Sequence, residues 1–417
     1  MLFSSISKVV TFINQIVLLP LALVSIGSDG FATFNIVLAS VSWLFVFNGG
    51  LSPAIVKIFS SLAEKDEKAK SFQLSFLVLT GIIFLFGFVL SLVIQLSPQG
   101  SFVYNNANLI ITVSCLSALN VLLSLATAIR QGLHQQYINN AVGLLGNVIN
   151  LILVLCFYFF ERTSLVELSI SMLGGFIISS LIFLPDLLLK TKYLFNKVEL
   201  RDLPFIKSFI ITSSLFFIIQ AAVYINQQIT LILAANFIGN DAVTSFSFIF
   251  KYFMIVGGFV TMVFQPIWPA IHNAIAKKNV EWVLSVSQKL TLYLLCYGVF
   301  TCVIMFVFGE KIFSIWTNGI IALSPMAIYL VGFYFVLICY TQSNVIILMG
   351  LGGINKIAYI TIIESLMVVV FLLLLLPSWG LEGGMIALTI PKLLISCVLL
   401  ERSKVISITR ISEKGKV

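Results

Sequence analysis

The chain has 417 residues, 60% of them apolar and only 10% charged, and its mean hydropathy is +1.11. Too little polar surface exists to cover a water-soluble body of that length, so the composition predicts an integral membrane protein. The net charge of +8 does not point to nucleic acid, because the basic residues fall mostly in short connections between apolar runs, where they set membrane orientation.

Taken in order, twelve segments supply the roughly twenty apolar residues that a membrane-crossing helix needs. They lie near 4–26, 31–62, 71–97, 108–130, 137–160, 166–189, 208–235, 243–270, 284–309, 324–349, 357–377 and 383–401. None shows the short alternating pattern of a barrel strand, so the expected class is all-α and polytopic. The first run, with Lys8 ahead of it, extends to Ile26 without an Ala-x-Ala cleavage site, and reads as a retained helix rather than a signal peptide.

The second segment is unusual in two ways. Asn48-Gly49-Gly50-Leu51-Ser52-Pro53 predicts an interruption, and Lys57 sits inside the apolar run. A similar scheme returns half a chain later. Ile26-Gly27-Ser28-Asp29, a lysine-bearing helix and Pro53-Ala54-Ile55 are matched by Ile238-Gly239-Asn240-Asp241, a helix with Lys251, and Pro269-Ala270-Ile271. The matching signals duplication, and interrupted helices at corresponding places point to a transporter's binding site.

The longest and most basic internal connection, Lys190 to Lys207, divides the chain into halves 1–195 and 196–417, each with six helices. Seventeen lysines and arginines fall in one set of connections and the tail, against two, Arg162 and Lys311, in the other. That asymmetry predicts both termini in the cytoplasm. Six spans return the chain to its starting side, so the halves are expected to be parallel repeats. The opposite connections, 27–30, 98–107, 161–165, 236–242, 310–323 and 378–382, are too short for a folded domain.

No Walker A loop, HExxH, GxSxG, Asp-x-Asp or Rossmann pattern occurs, and the six cysteines and two histidines have no metal-ligand spacing. No catalytic residue, metal or cofactor is therefore expected. The informative residues are charges inside the apolar runs, which are costly unless they face water, protein or a partner. Lys57, Lys251, Lys392 and Arg130 are cations, and a cation-lined cavity suits an anionic substrate. Each has a plainer reading. Lys57 can snorkel to the interface, Arg130 can anchor a helix end, and Lys392 can pair with Glu364, which lies at similar depth on the preceding helix. Lys251 is the hardest to explain structurally, since no adjacent segment offers an obvious carboxylate. Asn226, Gln227 and Gln228 either line a cavity or hold helices together; Trp43, Tyr224 and Trp268 either stack on sugar rings or pack.

Several stretches resemble Wzx-type polysaccharide repeat-unit flippases of the multidrug/oligosaccharidyl-lipid/polysaccharide exporter superfamily. They are Ile26 to Phe31 with Asn48-Gly49-Gly50-Leu51-Ser52-Pro53-Ala54, Asn226 to Asp241 with Ser247 to Lys251, Phe308 to Trp316, and Pro377 to Ala387. The resemblance implies a MATE-like inverted V of two six-helix bundles around a central cavity, in a bacterial inner membrane. The implied substrate is undecaprenyl-diphosphate-linked oligosaccharide, moved from the cytoplasmic to the periplasmic leaflet, with a polysaccharide polymerase and a chain-length regulator as partners. Lys57, Lys251 and Lys392 would supply the family's cationic cavity. Asn48 and Asn226 stand where acidic residues are common in the family, which leaves Glu364 as the candidate for ion coupling. An ion-coupled multidrug antiporter of the same superfamily is the rival reading, with a membrane polysaccharide polymerase behind it.

Overall fold

The computed structural model describes residues 2–60, 64–160, 164–195, 203–264, 267–277 and 279–414. Among them no strand occurs, and eleven helices are long and apolar enough to cross a membrane. The eleventh, Ile354–Thr409, carries two of the expected spans run together. The chain is therefore an all-helical, multi-pass membrane protein. The helices satisfy their own backbone polar groups, which hydrocarbon demands. Arg162, Lys197, Arg201, Lys278 and Lys416, part of the basic-residue count, lie outside the described residues.

The chain divides into two compact units, Met1–Gln220 and Ala221–Val417. In the first, α1 (Leu2–Val41) and α2 (Trp43–Ser60) precede α3 (Lys65–Leu96), and a short α4 (Phe102–Asn105) leads into α5 (Ala107–Gly132), α6 (Gln136–Phe159) and α7 (Leu165–Lys190). A 3-10 turn, Lys192–Phe195, follows, and α8 (Leu203–Tyr224) runs from the first unit into the start of the second.

The turn expected at 27–30 is a sharp one: α1 is two helices that meet at Gly27, whose φ of 72° and ψ of 174° are not helical. The interruption expected at Gly49-Gly50 and Pro53 is displaced. Helix α2 is continuous through all three, and the chain breaks instead at Ser42, whose hydroxyl donates to the Ala39 carbonyl. The two glycines serve packing. A Cβ at Gly50 would lie 2.8 Å from Phe217 Cβ and 2.9 Å from the Ser213 carbonyl, and one at Gly49 would lie 2.6 Å from Gln220 Cγ.

Asparagines knit the first unit. Asn147 on α6 donates to Thr11 and accepts from Asn14, both on α1. Asn150, one turn on, accepts the Gly175 N–H and donates to the Met172 carbonyl on α7. Helix α3 is the exception to this tight packing. Its buried residues, Ala69, Ser71, Ser75 and Leu79, all lie in its first half. Beyond them it stands off from α2 and α5, leaving a cavity of about 420 Å³ lined by Leu44, Phe86, Leu90, Ile111 and Ser114 among others.

The second unit holds a π-helical turn (Ile225–Ile229), α9 (Thr230–Phe237), α10 (Asn240–Phe264), α11 (Ile267–Ala276), α12 (Val280–Trp316) and α13 (Pro325–Gly350). It ends with α14 (Ile354–Pro391), a second π-helical turn (Lys392–Cys397) and α15 (Val398–Lys414). At the expected 378–382 turn the two helices that make up α14 meet at Gly380, whose backbone (φ 58°, ψ −136°) is not helical. Helices α12 and α13 meet at small residues. A Cβ on Gly298 would lie 3.1 Å from Cys339 Cβ, and one on Gly332 3.1 Å from Cys302 Sγ. Around this seam Tyr252, Phe253, Tyr297, Tyr334 and Phe335 form an aromatic core. Cys115, Cys156 and Cys296 are exposed, while Cys339 and Cys397 are buried. The glycines of the repeated Ile-Gly-x-Asp motif behave alike, since Gly27 and Gly239 both have positive φ.

Candidate functional site

Two of the candidate residues are brought together, and they are charged. Lys392 Nζ lies 2.7 Å from Glu364 Oε1. Helix α14 carries the carboxylate and the second π-helical turn carries the lysine. Ser396, one turn after Lys392, donates its hydroxyl to Glu364 Oε2. The hydroxyl of Ser365, next to Glu364, donates to the Ala222 carbonyl at 2.9 Å, so adjacent residues of α14 reach toward both π-helical turns. Such turns widen a helix by one residue and recur at functional sites. The pair is lopsided: the Lys392 side chain is 17% exposed and that of Glu364 only 3%. Tyr334 of α13 and Cys397 are the titratable groups within electrostatic reach of it. The ion-pair reading of Lys392 and Glu364 is thus the arrangement observed.

Lys251 is different. It follows residues 242–250 of α10, every one of which is buried, as in a helix running through an interior. The lysine itself is partly buried, about 16 Å from the Asn240 end at 1.5 Å per residue. Among the described residues, no ion pair or hydrogen bond holds it and no charged side chain acts on it.

The remaining candidates are scattered. Arg130 is 1% exposed; its guanidinium donates to the Phe183 carbonyl on α7, with Asp186 as its charged neighbour. That is a tie between helices and presents no free face. Lys57 is exposed on α2. Asn48 Oδ1 accepts from Ser52 Oγ at 2.7 Å. Asn226 and Gln227 stand in the first π-helical turn, where Asn226 Oδ1 is buried without a hydrogen-bond partner among the described residues. Trp268 is 40% exposed on α11. Ser396 and Tyr334 escaped the sequence reading. The first was findable, because it stands four residues from Lys392 and so on the same helix face; the second carried no distinguishing signal among so many aromatics.

No protein-family model matches the chain, and no curated protein matches it. Solved structures do. An inward-facing multidrug resistance MATE family transporter of the MOP superfamily matches at a TM-score of 0.68 and 16% identity, over 97% of this chain and 95% of that one. The fold is that of the MATE transporters. Lipid II flippase MurJ, in an inward closed conformation, shares it at a TM-score of 0.74 and 14% identity, over 99% of this chain and 90% of that one. So does a MOP superfamily transporter from Pyrococcus furiosus, described as having a binding pocket of reverse polarity, at a TM-score of 0.64 and 16% identity over 97% and 95%. The MATE fold thus spans the whole chain. At these identities it speaks for architecture, and the residues must speak for function.

Proposed function

We propose that the protein is a flippase for a lipid-linked oligosaccharide, carrying an undecaprenyl-diphosphate-linked repeat unit of a surface polysaccharide from the cytoplasmic to the periplasmic leaflet of a bacterial inner membrane. The halves 1–195 and 196–417 alternate access to a site between the leaflets. Lysines hold the diphosphate, the sugars cross through the polar path, and the prenyl chain stays in lipid. A sugar head of that size cannot cross hydrocarbon unaided, because every unpaired polar group costs several kcal/mol there.

The observation that carries this reading is Lys251, a cation in a membrane-spanning helix with no counter-charge among the described residues. A cation without a counter-charge in a spanning helix favours an anionic ligand. The rival, an antiporter of cationic drugs, needs a free acidic group, and Glu364 is already neutralised by Lys392. Arg130, committed to Phe183, is left to a structural role. Coupling to the polymerase and chain-length regulator is part of the proposal.

The test is deletion of the gene, with lipid-linked intermediates read by mass spectrometry after labelling spheroplasts with a membrane-impermeant periodate. A complete undecaprenyl-diphosphate repeat unit accumulating on the cytoplasmic face supports the proposal. Normal amounts on the outer face refute it, and unpolymerised units there favour the polymerase. Restoration of export by the wild type but not by Lys251→Ala ties the activity to the unpaired cation.

A further inference from the structure

The cavity beside α3 lies wholly within the first unit and holds none of the candidate cations. Its α3 wall runs from Ile83 to Gln95, about 18 Å at 1.5 Å per residue. That is close to the hydrocarbon depth of one leaflet, about 15 Å. A volume of about 420 Å³ spread over that length leaves a slot about 5 Å wide. One hydrocarbon chain fits, since carbons pack at about 4 Å. A helix, about 10 Å across, does not, so neither a second copy of the chain nor a partner's helix can fill it. Gly87 lines the slot and keeps it open: a Cβ there would meet nothing within 4 Å. The polar lining is confined to one end. Gln95 and Ser91 are exposed on α3, about 2 and 8 Å from its Leu96 end. Ser114 faces them from α5, about 10 Å from the Ala107 end. Deeper in, Phe86, Ile83 and Ala118 offer no polar group.

Ser114 says what kind of chain belongs there. Other buried serines of this unit return their hydroxyls to a carbonyl one turn back, as Ser71, Ser75, Ser169 and Ser171 do. Ser114 is 8% exposed, and its Oγ is buried without a hydrogen-bond partner among the described residues. An unmet donor near the top of an apolar slot needs an acceptor that the occupant carries. A glycerophospholipid has one, because its ester carbonyls stand where the acyl chains begin, just below the polar head. A prenyl diphosphate has no carbonyl at all. We infer that the slot between α3, α2 and α5 binds one acyl chain of a bilayer phospholipid, with Ser114 donating to its ester carbonyl and Ser91 and Gln95 meeting its head. In the orientation proposed for the chain, that lipid belongs to the periplasmic leaflet. It supplies the contacts that the second half of α3 does not find in protein, and so holds α3 to α2 and α5. The site is separate from the substrate reading and does not depend on it.

The experiment is native mass spectrometry of the full chain, stripped of lipid in detergent and titrated with dioleoylphosphatidylethanolamine, its dialkyl ether analogue or undecaprenyl phosphate. The wild type should keep one molecule of the diester lipid and hold the ether analogue about fivefold more weakly, as the loss of one hydrogen bond implies. Ser114→Ala should bind the two lipids alike. Gly87→Leu puts a side chain into the slot and should weaken the diester lipid at least tenfold. Gly81→Leu is the control. It lies on the same helix outside the lining, is equally free of neighbours and makes the same gain in helix propensity, so it should bind as the wild type does. Should Gly87→Leu fail to fold, the ester-to-ether ratio in the wild type and in Ser114→Ala decides. Equal retention by Gly87→Leu and the wild type, or no preference of the wild type for the ester, overturns the site. Undecaprenyl phosphate held in preference to the diester lipid, and lost in Gly87→Leu, overturns it too and gives the slot to a prenyl chain.

Discussion

The side chain of Asn150 lies across the backbone of Gly175, accepting its N–H at 2.8 Å while donating to the Met172 carbonyl at 3.1 Å. A Cβ on Gly175 would overlap Asn150 Oδ1 and sit 2.5 Å from the Gly146 carbonyl. Gly175→Ala must therefore push α6 and α7 apart, at a cost of about 3 kcal/mol. Asn150→Ala removes the hydrogen bonds but keeps the close approach, and should cost about 1 kcal/mol. Thermal unfolding of the purified variants should rank them in that order.

Gly49 and Gly50 make a sharper comparison, because they are neighbours on one helix with opposite expected outcomes. Gly50→Ala meets Phe217 Cβ and a backbone carbonyl, neither of which can move freely; it should lose about 2 kcal/mol. Gly49→Ala meets Gln220 Cγ at 2.6 Å and Cβ at 3.1 Å; rotation of the side chain relieves the first contact, and about 1 kcal/mol of helix propensity offsets the second. Its stability should stay within about 0.5 kcal/mol of the wild type. Equal losses in both would mean that α2 packs otherwise.

Lys251→Met should separate stability from function. An unpaired ammonium in mid-helix costs about 2 kcal/mol, and removing it should raise the unfolding temperature. Export of the polysaccharide should fall at least tenfold in the same variant, with Lys251→Arg retaining part of it. A stabilised protein with full export would show that the cation has no ligand.

The Lys392–Glu364 pair predicts strong coupling. Either single replacement, Lys392→Met or Glu364→Gln, leaves a polar remnant in the interior and should cost about 3 kcal/mol. The double variant should recover most of that loss. A double-mutant cycle with coupling under about 0.5 kcal/mol would contradict the 2.7 Å geometry.

Gly27 and Gly239 hold positive φ, and a Cβ added at either would meet nothing within 4 Å. Alanine at either place meets only backbone strain, about 1–3 kcal/mol. Near-equal losses at the two sites, read by thermal unfolding, would follow from their equivalent places in the repeated motif.

The spans could be read because hydrocarbon leaves the backbone little choice: a long apolar run has to be helical. The Lys392–Glu364 pair could be read from depth, since consecutive helices bring residues of similar depth side by side. The break in the second segment could not. Glycine and proline signal a stop where water competes for the backbone, but in an apolar setting α2 keeps its hydrogen bonds and uses Gly50 for contact with Phe217. Ser42, where the helix does break, carries no sequence signal of its own. The π-helical turns were equally hidden. Each depends on one displaced hydrogen bond, and Asn226-Gln227 and Lys392-Leu393 would suit an ordinary helix as well.

The fully buried residues of α3 all lie in its first half. In a bilayer its second half, beside the cavity that Leu44 and Phe86 line, must be wetted by acyl chains instead. Membrane thickness and chain packing then press directly on this element, while the Asn150–Gly175 seam holds α6 and α7 together. The first unit is thus stiff on one flank and lipid-tuned on the other, so the same chain should run at different rates in membranes of different thickness.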